Sequence, residues 1–242
     1  MSPDHWLILN ADQAQMREMA DSVTCKAAWF GWNTTGIAPC VTIVDDNFVF
    51  IDKNGQQKSL FPVSSVKLIG RHNLENVMCA ALAAILAGVD PKHLEPVVKS
   101  FPGVEHRLEW VTEVNGVTFI NDSKGTNCAA SITALQACKP PMILIAGGRD
   151  KGTDLSDWVT AVRTLSKGVV LYGEARARFR SALEGLVPLK TAGSFEQAVE
   201  TAYSWAESGD TVLLSPACSS YDLFPNFEVR GERFKELVRA LK

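Results

Sequence analysis

The chain has 242 residues, 46% of them hydrophobic and 21% charged, with a formal net charge of −3. That length holds one large domain or two small ones around a sizeable core. The charge argues against general binding to nucleic acid or to anionic membrane surfaces. The longest apolar run, residues 77–89, is too short to span a bilayer. No basic segment precedes a long apolar stretch at the N-terminus, so no secretory signal is visible. Six cysteines without a C-x-x-C pair, several inside apolar patterns, read as reduced core thiols of a cytoplasmic protein.

An apolar strand is expected at 6–9, ending at Asn10-Ala11-Asp12, and a second at 27–30. In TIVDDNFVFID two β-rich runs flank Asp45-Asp46-Asn47, and Asn54-Gly55 is a tight-turn dipeptide; both predict hairpins. Residues 74–87 are apolar nearly all round, so a helix there should be buried on most faces. Asp90-Pro91 supplies an N-cap and a first-turn proline for a helix over 92–99. Phe101-Pro102-Gly103 breaks the pattern and divides a first domain, 1–103, from a second, 104–242.

Beyond the break, strand and helix alternate. A strand at 108–113 turns at Asn115-Gly116 into a strand at 117–120. Helices at 129–137, 155–165 and 175–186 then alternate with strands at 142–146, 169–172 and near Leu189. Ser194 and Gln197 form a capping box for a further helix. A strand follows at 211–214, and the last helix spaces Phe234, Leu237, Val238 and Leu241 at helical intervals. Such alternation predicts an α/β fold, a doubly wound parallel sheet with helices on both faces. Ligands of these sheets bind beyond the carboxyl ends of the strands. Three polar clusters fall there: NDSKGTN (121–127), GGRDKG (147–152) and SPACSSYD (215–222). They are expected to form one site.

Lys124 and Lys151 are cations on short glycine-containing loops, suited to phosphate or carboxylate ligands. Asp122 could accept hydrogen bonds from a ribose or orient a lysine. Thr126, Ser219 and Ser220 are small donors able to approach a carboxylate. Taken singly, Asp122 and Ser123 could equally cap the next helix, and GGRDKG could be a plain turn; three clusters at one edge favour a site. Asn73 and Asn76, three apart, place two amides on one helix face. They could read a base such as adenine, or Asn73 could cap the helix with Asn76 solvated. Arg107, at the break, could bring a bidentate guanidinium to phosphates or remain an exposed linker residue. No G-x-x-x-x-G-K-[ST] phosphate loop occurs, and GGRDKG has the wrong spacing for one.

GRHNLENVMCAALAAILAGV, GVEHRLEWV, NDSKGTN and LLSPACSSYDLFPNFEVRG together resemble the Mur ligases, and the last two resemble the D-glutamate-adding branch. The resemblance covers nearly the whole chain. It implies a Rossmann-like C-terminal domain in 104–242, and in 1–103 an incomplete α/β remnant of the central ATPase domain. The implied reaction belongs to peptidoglycan precursor synthesis. ATP phosphorylates the carboxyl of UDP-N-acetylmuramoyl-L-alanine, and the amine of D-glutamate attacks the acyl phosphate.

Residue by residue, the resemblance implies that Asn73 and Asn76 contact adenine or ribose. Arg107 would touch ATP phosphates, Asp122 would bind the ribose side, and Lys124 would lie nearby, with Arg107 and Lys124 as the catalytic cations. Thr126, Lys151, Ser220 and Phe227 would form the D-glutamate pocket, Tyr221 adding a backbone contact. Gly125, where alanine is commoner, and the large Tyr221 depart from the pattern and read as tolerable. ATP and Mg2+ would serve the complete enzyme. Its phosphate loop, metal ligands and carbamylated lysine are expected upstream, so the chain alone is expected to be catalytically silent. Its first domain is expected to leave an apolar face uncovered. Competing expectations are another amide ligase such as a folylpolyglutamate synthetase, against which NDSKGTN and SPACSSYD speak, and a non-catalytic module binding an amino acid or a nucleotide.

Overall fold

The opening apolar run forms β1 (Trp6–Asn10), paired in parallel with β2 (Lys26–Phe30). In this computed structural model, which describes residues 2–241, the chain folds into two compact units and passes between them at Pro102–Gly103. In the first unit β3 (Cys40–Val44), β4 (Asn47–Ile51) and β5 (Gln57–Pro62) extend the sheet in the order β1-β2-β3-β4-β5. The β3–β4 hairpin turns on Asp45 and Asp46, both left-handed at φ 48° and 58°, as a two-residue turn between twisted strands requires. Helix α1 (Ala14–Asp21) was not expected; it has no fully buried residue, and only Met16 and Ala20, one turn apart, pack on the core, a stripe too short to stand out in the sequence.

Helix α2 (Arg71–Leu86) lays Met78, Ala81 and Leu82 on Ala28, Val41, Phe48 and Phe61 of the sheet. Asp90 accepts a hydrogen bond from the Lys92 N–H, capping a 3-10 turn that leads into α3 (Leu94–Ser100). The expectation that α2 is buried on most faces fails, for only four of its sixteen residues are buried. The sheet covers one side of the helix. On another, Val77, Ala80 and Ala84 join Val66, Val97 and Phe101 in lining an open apolar groove of about 460 Å³.

The second unit starts with an antiparallel hairpin, β6 (Glu109–Val114) and β7 (Val117–Asn121), which turns on Asn115 and Gly116 at φ 52° and 79°. The strands β8 (Met142–Gly147), β9 (Gly168–Tyr172), β10 (Leu189–Thr191) and β11 (Thr211–Leu214) complete a sheet of order β10-β9-β8-β11-β7-β6. All pairings except β6–β7 are parallel. The sheet thus has the expected doubly wound α/β form. Strand β11, last in sequence, lies between β8 and β7.

Successive strand residues point to opposite faces, and nearly every one here is apolar. Ile143, Ile145, Val170, Val212 and Leu214 pack on α7 (Phe195–Trp205) and α8 (Phe227–Arg239) through Phe195, Val199, Phe234 and Val238. Leu144, Val169, Leu171 and Leu213 are fully buried the other way. That side carries α4 (Cys128–Ala137), α5 (Ser156–Leu165) and α6 (Arg176–Leu183), with the Trp158 and Phe179 rings 4.6 Å apart. Ser194 caps α7 through the Gln197 N–H at 3.1 Å, while Gln197 reaches back one residue further than the standard box, to the Gly193 N–H. The six cysteines are free thiols.

Candidate functional site

Because β7, β11 and β8 are parallel neighbours, their carboxyl ends open on one edge, and the three polar loops meet there. They are laced by their own backbones. The Gly147 N–H donates to Pro216 O at 3.0 Å, Arg149 N–H to Ser219 O at 2.9 Å and Ala217 N–H to Gly125 O at 2.9 Å. The glycine pair after β8 is a matter of space and of backbone angle. Gly147 and Gly148 lie at φ 134° and 130°, and a Cβ would stand 2.0 Å from Tyr172 O or 2.3 Å from Ser219 O.

The expected residues take these places. Lys151 is exposed, and its Nζ donates to the backbone oxygen of Thr126 at 3.1 Å, linking the β8 and β7 loops. Ser220 is buried at the head of a turn, its carbonyl accepting from Leu223 and Phe224 N–H groups, while the neighbouring Tyr221 is 62% exposed. Phe227, half-buried, opens α8; its carbonyl accepts from the Ser123 hydroxyl at 2.8 Å, and the Lys124 ammonium lies 4.6 Å above its ring. Arg107 is exposed. Asn127, not Asp122 or Ser123, caps α4, through the Ala130 N–H.

Asp122 is buried. Its carboxylate accepts from the Ser215 hydroxyl at 2.7 Å and the Leu108 N–H at 3.3 Å. Burial nonetheless pushes its pKa up to about 6, against the pull of those two bonds and of the Arg107 and Arg230 charges. Gly125 sits against this pair. A Cβ there would lie 2.5 Å from Asp122 Oδ2 and 2.7 Å from Ser215 Oγ, so the absent methyl leaves room for the bond between them. Gly125→Ala is therefore expected to cost about 1–2 kcal/mol in a urea melt, with the Asp122–Ser215 contact lengthened in a crystal structure.

Asn73 and Asn76 lie in the first unit. Their amides share a face, as the spacing predicted: Asn76 Nδ2 donates to Asn73 Oδ1 at 3.2 Å, and Asn73 Nδ2 to Ile69 O at 2.7 Å. Gly70, not Asn73, occupies the N-cap position of the helix, so the capping alternative does not hold. Asn73 is buried and Asn76 exposed.

Residues 106–218 match the family described as "Mur ligase, glutamate ligase domain". A UDP-N-acetylmuramoylalanine--D-glutamate ligase of Thermoanaerobacter sp. (strain X514) is 39% identical over 99% of this chain and 53% of its own length. That of Desulfitobacterium hafniense (strain Y51) is 41% identical over 98% of this chain and 52% of its own. Nearly the whole chain is thus similar to part of a Mur ligase. The chain spans about half the length of the curated relatives it matches. Two solved Mur ligases share its fold at low identity. The MurF ligase from Thermotoga maritima in complex with ADP has a TM-score of 0.63 at 16% identity, over 99% of this chain and 55% of that one. The UDP-N-acetylmuramoylalanyl-D-glutamyl-2,6-diaminopimelate--D-alanyl-D-alanyl ligase from Acinetobacter baumannii has 0.64 at 17%, over 99% and 52%.

Three residues of the chain escaped the sequence reading. Arg230 has no exposed surface; Nε donates to Ser123 Oγ at 2.9 Å, Nη2 to Ser123 O at 2.7 Å and Nη1 to Cys218 O at 3.2 Å. It thus ties the β7 and β11 loops to α8. Its position was detectable, since Phe227, Arg230, Phe234 and Val238 recur at the helical spacing of a buried stripe. His106 is also buried. Its carbonyl accepts the Lys124 N–H at 3.0 Å and its Nδ1 lies 3.0 Å from Asn121 Nδ2, which holds the segment around Arg107 to the loop.

Lys235 is the third. Its ammonium lies 2.7 Å from Glu232, 3.2 Å from Glu105 and 3.3 Å from Glu109. Burial lowers its pKa, but the carboxylates outweigh burial and the net shift is upward. Among the described residues, Glu105, His106 and Glu232 form one group with metal-ligand proximity. Both of its carboxylates already pair with the Lys235 ammonium.

Proposed function

We propose that this chain corresponds to the C-terminal part of a ligase that joins D-glutamate to UDP-N-acetylmuramoyl-L-alanine at the expense of ATP. The observation that carries the reading is the Lys151 ammonium, 3.1 Å from Thr126 O, in a mouth that also holds Lys124 and the buried serines of the β11 loop. A cation beside small hydroxyls suits the carboxylates of a short dicarboxylic amino acid, each charged hydrogen bond contributing roughly 1.5–3 kcal/mol. Held by its carboxylates, the amino acid can present an uncharged amine to the acyl carbon. Phe227 steadies Lys124 from below, and Tyr221 contributes backbone.

Arg107 and Lys124 are the cations for the phosphates in this reading, with Asp122 on the ribose side. In the first unit Asn76 offers its amide to adenine or ribose, oriented by Asn73. Mg2+ accompanies ATP in such a ligase. The described residues do not suit it, because both carboxylates of the nearest thing to a ligand cluster are already taken up by Lys235. No described helix is long and apolar enough to cross a membrane, and the reading places the ligase in the cytoplasm, with its ATP.

Titration calorimetry of the chain with D-glutamate tests the amino-acid site. Lys151→Ala is expected to weaken binding by about tenfold or more, from the loss of one charge-assisted contact. Equal affinity of wild type and variant, or no heat with either, would sink this reading. With ATP, Mg2+ and both substrates added, the chain is expected to release no phosphate, since it contains no phosphate loop. D-glutamate-dependent release from the pure chain would overturn that expectation.

A further inference from the structure

The loop that carries Lys151 is gripped by a residue with no part in the site so far. Arg178, on α6, donates through Nη1 to Asp150 Oδ1 at 2.8 Å and through Nη2 to the Thr153 carbonyl. The same Asp150 oxygen accepts the Gly152 N–H at 2.9 Å, and Gly152 lies in the left-handed region at φ 66°. Residues 150 and 153 therefore close on one guanidinium. Lys151, between them, reaches the other way to Thr126 O.

Apart from the Asp154 carboxylate, which accepts from the Ser156 N–H and hydroxyl, little else holds this stretch. Residues 151–154 are all exposed, and besides Arg178 the contact of Thr153 is with Cys128 Sγ, at 3.7 Å. Four consecutive exposed residues that include a glycine keep many conformations unless something selects among them. A planar fork that reaches two acceptors in a fixed geometry can do so, where an ammonium on a flexible stem is less pre-organised. The grip also answers the charge of Asp150, which as the chain neighbour of Lys151 would otherwise compete for its ammonium.

We propose that Arg178 is a positioning residue: by holding Asp150 and Thr153 it sets the Lys151 ammonium against Thr126 and so tunes the affinity of the site for an amino-acid carboxylate. The ligand named here rests on the D-glutamate reading; the positioning does not.

The test compares the wild-type chain with Arg178→Met and Arg178→Lys. Acetylation of individual lysines is followed by mass spectrometry, with exposed Lys139 as the internal reference. Arg178→Met is expected to raise the rate at Lys151 relative to Lys139 by about fivefold, as the loop opens locally. It is also expected to weaken D-glutamate binding by about tenfold. Arg178→Lys should fall between wild type and methionine on both measures. An unchanged Lys151-to-Lys139 ratio overturns the proposal, and so does a rise shared equally by both lysines, the mark of general loosening. If Arg178→Met does not fold, the ratio in Arg178→Lys decides. A wild-type chain that binds no D-glutamate counts against the ligand, and the acetylation ratio still decides the role of Arg178.

Discussion

Arg230→Met is expected to lower the stability of the second unit by about 3 kcal/mol or more, a fall in melting temperature of roughly 10 °C. Methionine keeps much of the volume but none of the donors. The carbonyls of Ser123 and Cys218 and the Ser123 hydroxyl would remain in the interior with their Arg230 bonds gone. Each buried polar group left unsatisfied costs about 1–3 kcal/mol. Burying a guanidinium has its own cost, which the substitution returns in part, so the net effect is smaller than the sum. Arg230→Lys should recover little, for a compact ammonium lacks the rigid spread of donors with which the guanidinium meets both loops. Urea unfolding followed by fluorescence reads the change; a midpoint within error of wild type would show that the two loops are held by their backbone lacing alone.

The second large effect runs the other way. Asp122→Asn is expected to stabilise the chain at neutral pH by up to about 3 kcal/mol. Burial raises the folded pKa of Asp122 from 3.8 to about 6. Well below pH 3.8 the group is protonated in folded and unfolded chains alike and costs nothing. As the pH rises through 4 to 6 the unfolded chain ionises first, and stability falls until the folded carboxyl also ionises near 6. Above that the penalty is constant. Asparagine escapes it, and its amide can accept from the Leu108 N–H while donating to Ser215 Oγ. The variant's advantage should therefore grow between pH 4 and 6 and then level off. Thermal melts from pH 3.5 to 8 give the profile, and a constant offset across that range would refute the account. If the same carboxylate meets the nucleotide, the more stable variant should bind ADP less well.

What the sequence made legible was the part governed by short-range rules. Asn115-Gly116 and Asp45-Asp46 sit in turns that need left-handed residues, and they were found as turns. Strand–helix alternation predicted the doubly wound sheet, and the polar clusters after β7, β8 and β11 meet because those strands are neighbours. Illegible were contacts set by distant partners. Arg230 and Ser123 are 107 positions apart, and the Lys235 cage joins α8 to Glu105 and Glu109, so no local window contains either. Helix α2 failed for a different reason. An apolar surface shows what a helix could bury, not what is there to cover it. For the site, pairings such as Lys151 with Thr126 and Lys124 with Phe227 became visible only when the loops had been brought together.

The central place of β11 has a consequence for how the protein is made. As the chain leaves the ribosome, β7 and β8 emerge with a gap between them that their natural partner fills only after residues 148–210 have followed. Until then both expose unpaired backbone along their inner edges, an invitation to neighbouring nascent chains. The mouth that gathers the three loops is thus among the last features to be born, and slowing translation before β11 should favour aggregation over folding.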